Sequence, residues 1–76
     1  MKQQINEILI FRSDIKTEGD RHRVSTVLDN HPLISEWCVD LDDEERILRV
    51  VSSKLKQHHI VDMVGKCGYT CEELND

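Results

Sequence analysis

The sequence predicts an α+β fold of the ferredoxin-like type, a βαββαβ sandwich in which two helices cover one face of a four-stranded antiparallel sheet. Three observations support this prediction. An amphipathic helical pattern stops at Pro32, an alternating strand follows at Glu36–Leu41, and a second helical pattern of apolar residues begins at Ile60. The short connection between the second and third predicted strands favours their antiparallel pairing.

Length and composition indicate one small domain, residues 1–76. A chain of this size buries only about 60–65% of the surface that its unfolded form exposes, which leaves no room for a second domain. The apolar fraction of 38% supports one core built mostly from Ile, Val and Leu, so disorder is not expected.

Charge and hydropathy exclude two classes of partner. The chain has 15 acidic and 10 basic residues and a net charge of −5, with the basic residues scattered among acids. Nucleic-acid binding needs a basic face, which this pattern does not predict. No apolar stretch approaches the ~20 residues of a membrane span or resembles a signal peptide. We therefore expect a cytoplasmic protein with no nucleic-acid or membrane contact, and its three cysteines argue against a disulfide framework.

The first strand is predicted at Ile5–Ile10 and continues into Phe11. Both faces of this segment carry apolar side chains, which is typical of a central strand. Either Ile8 and Ile10 or Leu9 and Phe11 face the helices, because a shift of one residue exchanges the two faces of a strand.

The first helix is predicted to begin at a capping box formed by Thr17 and Asp20, with Asp in place of the usual Glu. Pro32 ends this helix, because proline lacks the backbone N–H that a helix requires. Its predicted buried stripe consists of Val24, Val27, Leu28 and His31.

Strands two and three form a predicted hairpin at Glu36–Leu41 and Ile47–Val51, joined by the loop D-D-E-E-R. Leu48 and Val50 are expected to face the core, because the opposite phase would bury Arg49 there.

The second helix carries an apolar stripe at Ile60, Met63, Val64 and Cys67. Two starts remain open for it: Ser53 is an N-cap by residue type, whereas a start at Lys56 would let Leu55 and Ile60 form a hydrophobic staple. Gly68 is the expected residue just after the helix, and Tyr69–Leu74 is the expected last strand.

Two motifs resemble the heavy-metal-associated (HMA) domain, the module of copper chaperones and metal-transporting P-type ATPases. The first is V-x-x-V-L-x-x-x-P-x-I-x-x-W-x-V-D-L, residues 24–41, which follows that family's first helix, proline turn and second strand without a gap. The second is K-C-G-Y, residues 66–69, where the family commonly has Lys-Ala-Gly followed by Tyr or Phe. The resemblance covers nearly the whole chain and implies a ferredoxin-like fold.

The chain departs from this family in the loop before the first helix. HMA domains carry Met-x-Cys-x-x-Cys there, and a gapless alignment places Ile15 at the methionine and Thr17 and Asp20 at the two cysteines. Cu(I) needs thiolate or thioether ligands, which a hydroxyl and a carboxylate do not supply. We therefore interpret Thr17 and Asp20 as helix-capping residues and expect no metal or other cofactor.

Cys67 and Cys71 are the weak alternative candidates for a metal site, and their ligand would be Cu(I) or Zn(II). A structural zinc site takes four ligands and a catalytic one takes three, so this pair alone does not form one. Cys67 falls on the apolar stripe, where burial is expected, and Cys71 falls on an edge strand. Cys38 alternates onto the open sheet face and is interpreted as an ordinary strand residue.

The sequence contains no catalytic motif. It lacks a glycine-rich phosphate loop, a Gly-x-Ser-x-Gly elbow and a His-Glu-x-x-His pair. The adjacent His58 and His59 diverge by about 100° on a helix and are not expected to face one site. We therefore expect neither an enzyme nor any catalytic residue.

These observations favour a non-catalytic protein-interaction or regulatory module. Its partner is an unknown protein or a second copy, bound through the open face or through an edge of the sheet. Strands two and four are normally the edge strands of this fold. The alternative is a heavy-metal binding or trafficking protein that uses non-standard Cys and His ligands. Small-molecule sensing at a dimer interface rests on analogy of fold alone.

Overall fold

The computed structural model describes residues 7–74 and has the predicted element order. The elements are β1 (Glu7–Ser13), α1 (Glu18–Leu28), β2 (Glu36–Val39), β3 (Leu48–Ser52), α2 (Gln57–Lys66) and β4 (Cys71–Glu73). The sheet order is β2-β3-β1-β4, and each pair of neighbours is antiparallel. The ferredoxin-like fold is thus confirmed, with β2 and β4 at the two edges. No helix within residues 7–74 is long and apolar enough to cross a membrane.

One hydrophobic core lies between the sheet and the helices. It settles which face of β1 is buried, because Leu9 is buried and Phe11 is fully enclosed, whereas 60% of Ile8 is exposed on the opposite face. The buried phase predicted for β3 is confirmed. The core consists of Leu9, Phe11, Ile15, Val24, Leu28, Leu48, Val50, Leu55, Ile60, Val64 and Cys71.

Strand β1 extends further than predicted, through Ser13, because β4 pairs with its last residues from Phe11 onward. The predicted start at Ile5 lies outside the described residues. The last strand is shorter than predicted: β4 comprises only Cys71–Glu73, and Tyr69 precedes it.

Helix α1 ends at Leu28, earlier than Pro32 requires. The reason is local capping: the Asn30 side-chain amide donates to the Thr26 carbonyl at 2.7 Å. The prediction that His31 continues the buried stripe is wrong. His31 lies beyond the helix, is only half-buried, and its Nδ1 accepts a hydrogen bond from the Leu33 N–H at 3.1 Å.

Strand β2 ends at Val39, two residues before the predicted end at Leu41. Leu41 instead lies in the loop and packs against the core. The loop is longer than predicted because its acidic side chains bind its own backbone: the Asp43 carboxylate accepts from the Glu45 N–H at 2.7 Å. Hydrogen bonds within the loop thus replace the bonds to a neighbouring strand that its backbone does not form.

Helix α2 begins at Gln57, after an N-cap at Lys56, so the later of the two predicted starts is correct. The preceding Ser52 is fully buried, and its hydroxyl donates to the Leu33 carbonyl at 2.6 Å and accepts from the Leu55 N–H at 3.0 Å. Gly68 follows the helix at φ 94°, as predicted, in the left-handed region that favours glycine.

Candidate functional site

The loop before α1 is held by reciprocal hydrogen bonds between Thr17 and Asp20. The Asp20 N–H donates to Thr17 Oγ1 at 3.0 Å, and the Thr17 N–H donates to Asp20 Oδ2 at 3.2 Å. The Lys16 N–H donates to the same carboxylate oxygen at 3.1 Å. The predicted capping box is confirmed, so Thr17 and Asp20 fix the start of the helix.

A tyrosine from the far end of the chain completes this arrangement. Tyr69, which follows α2, donates its hydroxyl to Asp20 Oδ1 at 2.5 Å. Arg23 Nη1 donates to the Tyr69 hydroxyl at 2.9 Å and lies 3.7 Å from the same carboxylate oxygen. We call Thr17, Asp20, Arg23 and Tyr69 the Asp20 cluster. The sequence placed Tyr69 in the K-C-G-Y motif and at the start of the last strand, and no local pattern links residues this distant along the chain.

The hydrogen bonds that the Asp20 carboxylate accepts favour its ionised form. The hydrogen bond from Tyr69, followed by that from the Lys16 N–H, lowers the pKa of Asp20 below its usual value. The same tyrosine raises the pKa of Arg23. A carboxylate offers about four lone-pair positions. In Asp20, Oδ1 accepts from Tyr69 and Oδ2 accepts from the N–H groups of Lys16 and Thr17, so three of these positions are occupied by donors within the chain.

The three cysteines lie in three different environments, and none forms a disulfide. Cys71 is 8% exposed, and burial together with the nearby negative charge of Asp14 raises the pKa of its thiol to about 11. Cys67 is half-buried, and its Sγ lies 3.7 Å from the Arg23 carbonyl oxygen. Cys38 is exposed on β2. A thiol must lose its proton to ligate a metal, so Cys71 is a poor ligand where it lies.

The adjacent histidines do not diverge as predicted. The ring centroids of His58 and His59 lie 4.2 Å apart. The reason is their position in the first helical turn, where His59 reaches back and its Nδ1 accepts from the Lys56 N–H at 2.9 Å. Within residues 7–74, no three His, Cys, Asp or Glu side chains are placed to hold a metal ion together.

Grooves follow the edge strand β2 on both sides of the sheet. A groove of about 550 Å³ separates α1 from β2 and is lined by Arg21, His22 and Trp37 among others. A second groove of about 260 Å³ lies on the open face, where Ile8 and Cys38 line it. Trp37 borders both grooves, and its indole N–H donates to Asp29 Oδ1 at 2.7 Å. This hydrogen bond ties the edge strand to the end of α1.

Solved structures confirm the fold. The apo HMA domain of the copper chaperone for superoxide dismutase matches with a TM-score of 0.79 at 15% identity, over 99% of this chain and 74% of that one. Oxidized MerP from Ralstonia metallidurans CH34 matches with a TM-score of 0.77 at 11% identity, over 93% and 100%. The yeast copper transporter domain, solved in apo and Cu(I)-loaded states, gives 0.74 at 17% identity, over 91% and 96%. No family model and no curated protein matches the chain. The chain therefore has the fold of the HMA domain.

Proposed function

We propose that this chain is a small, non-catalytic protein-interaction or regulatory module that works in the cytoplasm with the HMA fold and without a metal ion in the loop before α1. The Asp20 cluster is the observation that carries this proposal. Thr17 and Asp20 stand where the resemblance places the metal-binding cysteines, and both side chains are engaged in hydrogen bonds that hold the loop.

The donor chemistry of this loop supports the same conclusion. Soft Cu(I) is bound by thiolate or thioether sulfur, and the loop between β1 and α1 contains neither Cys nor Met. A harder cation at Asp20 would compete with the donors from Tyr69 and from the backbone for the same carboxylate. Loss of an N-cap of this type destabilises a helix by about 1 kcal/mol, so the present hydrogen bonds of Thr17 and Asp20 stabilise the start of α1.

The titratable groups with shifted pKa values also favour a non-catalytic role. General acid–base catalysis uses groups whose pKa lies near the working pH. The pKa of Asp20 is shifted downward and that of Cys71 is shifted up to about 11, so both move away from neutrality. Each shift follows from the group's structural environment, a capping network for Asp20 and burial for Cys71.

The alternative function, heavy-metal handling through Cys67 and Cys71 with Cu(I) or Zn(II), draws its support from the fold shared with a copper-chaperone domain and a copper-transporter domain. It requires Cys71 to leave the core or to give up its proton where it lies. Cys67 would also have to turn away from the Arg23 carbonyl, 3.7 Å from its sulfur. These requirements place the alternative second.

Native mass spectrometry of the reduced chain, with stoichiometric Cu(I) or Zn(II) and a weak competing chelator, separates the two functions. We expect the metal-free mass in every case. One metal ion retained per chain, and lost in the variant Cys67→Ala/Cys71→Ala, would establish the metal-handling alternative instead. The variant Cys38→Ala is the matched control, because it removes a thiol that is not part of the candidate pair.

A further inference from the structure

The two edges of the sheet are protected differently against pairing with another chain. Edge strands present unpaired backbone groups, and charged side chains commonly prevent other strands from adding to them. Strand β4 ends in Glu72 and Glu73. Strand β2 continues from Glu36 into three uncharged residues, Trp-Cys-Val. The β2 edge is therefore the more open of the two.

The register of β2 shows which of its backbone groups point outward. The Asp40 N–H donates to the Ile47 carbonyl at 2.9 Å, which makes these two residues a hydrogen-bonded pair. Hydrogen-bonded and non-hydrogen-bonded pairs alternate along an antiparallel ladder. Cys38, two residues earlier, therefore bonds to β3, whereas the N–H and C=O groups of Trp37 and Val39 point away from β3.

We propose that β2 pairs antiparallel with β2 of a second copy of this chain, about a twofold axis at Cys38. Trp37 then exchanges two backbone hydrogen bonds with the partner's Val39, and symmetry repeats the exchange. This inference deepens the proposed function by naming a second copy as the partner.

The strand itself selects this register over its neighbours. A register centred on Trp37 would require the Ser35 N–H, which already donates to the Val51 carbonyl at 2.8 Å. A register centred on Val39 would require Leu41, which lies beyond the end of the strand. Only the axis at Cys38 uses the outward-pointing groups of the strand and no others.

The surroundings of β2 leave room for a second strand. The groove of about 550 Å³ lies on the helix side of β2, and the groove of about 260 Å³ lies on its open face. An added strand projects alternate side chains to opposite faces of the sheet, so its side chains would flank Trp37 on the helix side and Cys38 on the open face. The hydrogen bond of 2.7 Å between Trp37 and Asp29 holds β2 in place before the partner arrives.

Like charges oppose the pairing at its two ends. In this register Glu36 faces the partner's Asp40, and the twofold axis creates this pair twice. Like charges directly opposite each other on neighbouring strands are destabilising, and added salt screens exposed charges. The dimer is therefore expected to strengthen as salt concentration rises and when the sign of Glu36 is reversed.

Cys38 supplies a direct probe of the register. It forms a non-hydrogen-bonded pair with its own copy, in which the Cα atoms lie about 4.5 Å apart, within the range of about 4.4 to 6.8 Å that a disulfide spans. Oxidised glutathione can then trap the pair: two Cys38 thiols lose two protons and two electrons to form one disulfide, and one oxidised glutathione becomes two reduced molecules.

The test is sedimentation equilibrium of the reduced chain across concentration and salt, followed by trapping with oxidised glutathione. We expect a reversible dimer that tightens with salt, about tenfold tighter in Glu36→Lys, and a cross-link mapped by mass spectrometry to Cys38 in both copies. Glu44→Lys is the matched control, because it makes the same change of charge at an exposed loop residue and should leave the dimer nearly unchanged.

Three results would overturn this pairing: a monomer in all conditions, a cross-link only through Cys67 or Cys71, or equal effects of Glu36→Lys and Glu44→Lys. The outcome is independent of metal content. A metal-free monomer would contradict the β2 pairing and leave the proposed function in place. A metal-bearing dimer with the Cys38 cross-link would support the β2 pairing and contradict the proposed function.

Discussion

The start of α1 and the edge strand β2 differ in whether their backbone polar groups are hydrogen-bonded within the chain. At the start of α1, the N–H groups of Lys16, Thr17 and Asp20 all have side-chain acceptors within the chain. At β2, the outward groups of Trp37 and Val39 have no partner in the sheet that residues 7–74 form. Buried or crowded polar groups are almost always paired, whereas an open strand edge accepts another chain. The difference supports a structural role for the first region, and the proposed pairing with a second copy uses the second.

The most drastic way to break this comparison is to restore sulfur to the loop before α1. The double variant Thr17→Cys/Asp20→Cys creates a Cys-x-x-Cys spacing on a backbone with the HMA fold, and thiolates are the ligands that Cu(I) prefers. We expect it to retain one Cu(I) per chain against a weak chelator in native mass spectrometry, where the parent chain retains none. The single variant Thr17→Cys is the control and should lose the ion to the same chelator. A double variant that stays metal-free would mean that the loop itself lacks the required geometry.

Ser52 shows how much a fully paired polar group contributes when it is buried. Its hydroxyl donates to the Leu33 carbonyl at 2.6 Å and accepts from the Leu55 N–H at 3.0 Å. Ser52→Ala leaves both backbone groups without this partner, so we expect the free energy of unfolding to fall by about 1–3 kcal/mol. Urea denaturation measures the change. The neighbouring Ser53 is exposed, and Ser53→Ala should change stability little; equal losses in the two variants would contradict the role given to Ser52.

The cap of α1 tests the same idea at an exposed site. Thr17→Ala removes the acceptor of the Asp20 N–H, and we expect a loss of about 1 kcal/mol in the free energy of unfolding. Thr17→Ser keeps a hydroxyl and should retain most of the stability. If both variants unfold at the same urea concentration as the parent chain, the capping box does not stabilise the helix.

The smallest expected effect concerns the pH dependence of stability. Tyr69→Phe removes the hydrogen bond that contributes most to the lowered pKa of Asp20, so that pKa should rise toward its usual value of 3.8. A group whose pKa is lowered by folding stabilises the protein above its unfolded pKa and loses this contribution as pH falls through the folded value. The folded-state and unfolded-state pKa values of Asp20 both lie near or below about 4. As the pH falls from 5 through this range, the variant should therefore lose less stability than the parent chain.

An NMR titration of the Asp20 carboxyl carbon provides the direct measurement for this variant, and urea denaturation at several pH values provides the second. Arg23→Gln is the comparison variant, because Arg23 contacts the same tyrosine but contributes no leading cause to the Asp20 shift. A larger rise of the Asp20 pKa in Arg23→Gln than in Tyr69→Phe would contradict the assigned cause.

The two serines before α2 illustrate why part of the fold was not predictable. Ser53 has the residue type of an N-cap, whereas a start at Lys56 allows a staple of Leu55 and Ile60, and the sequence did not decide between the two. The helix begins after Lys56 because Ser52 is buried and its hydroxyl donates to the Leu33 carbonyl. Leu33 lies in the connection before β2. That contact depends on how β3 lies beside this connection, and no local pattern encodes it.

The cysteines show the same limit at the candidate site. The edge position of Cys71 follows from the order of the strands and was predicted. Its burial and raised pKa were not, because they depend on the phase with which β4 pairs with β1, which places Cys71 opposite Ser13 with its side chain toward the core. A strand of three residues with two acids carries too little hydrophobic pattern to fix that phase.

The sequence by itself determined the order of the elements, the core-facing residues of β3 and the capping box of α1. These features depend on periodicity and on residues three or four positions apart, which a single sequence displays directly. Tertiary structure alone decided that Tyr69 closes onto Asp20, that Ser52 and Cys71 are buried, and that Leu9 and Phe11 form the inner face of β1. The physical reason is that each of these contacts joins segments distant along the chain, and only the docking of the helices on the twisted sheet brings such segments together.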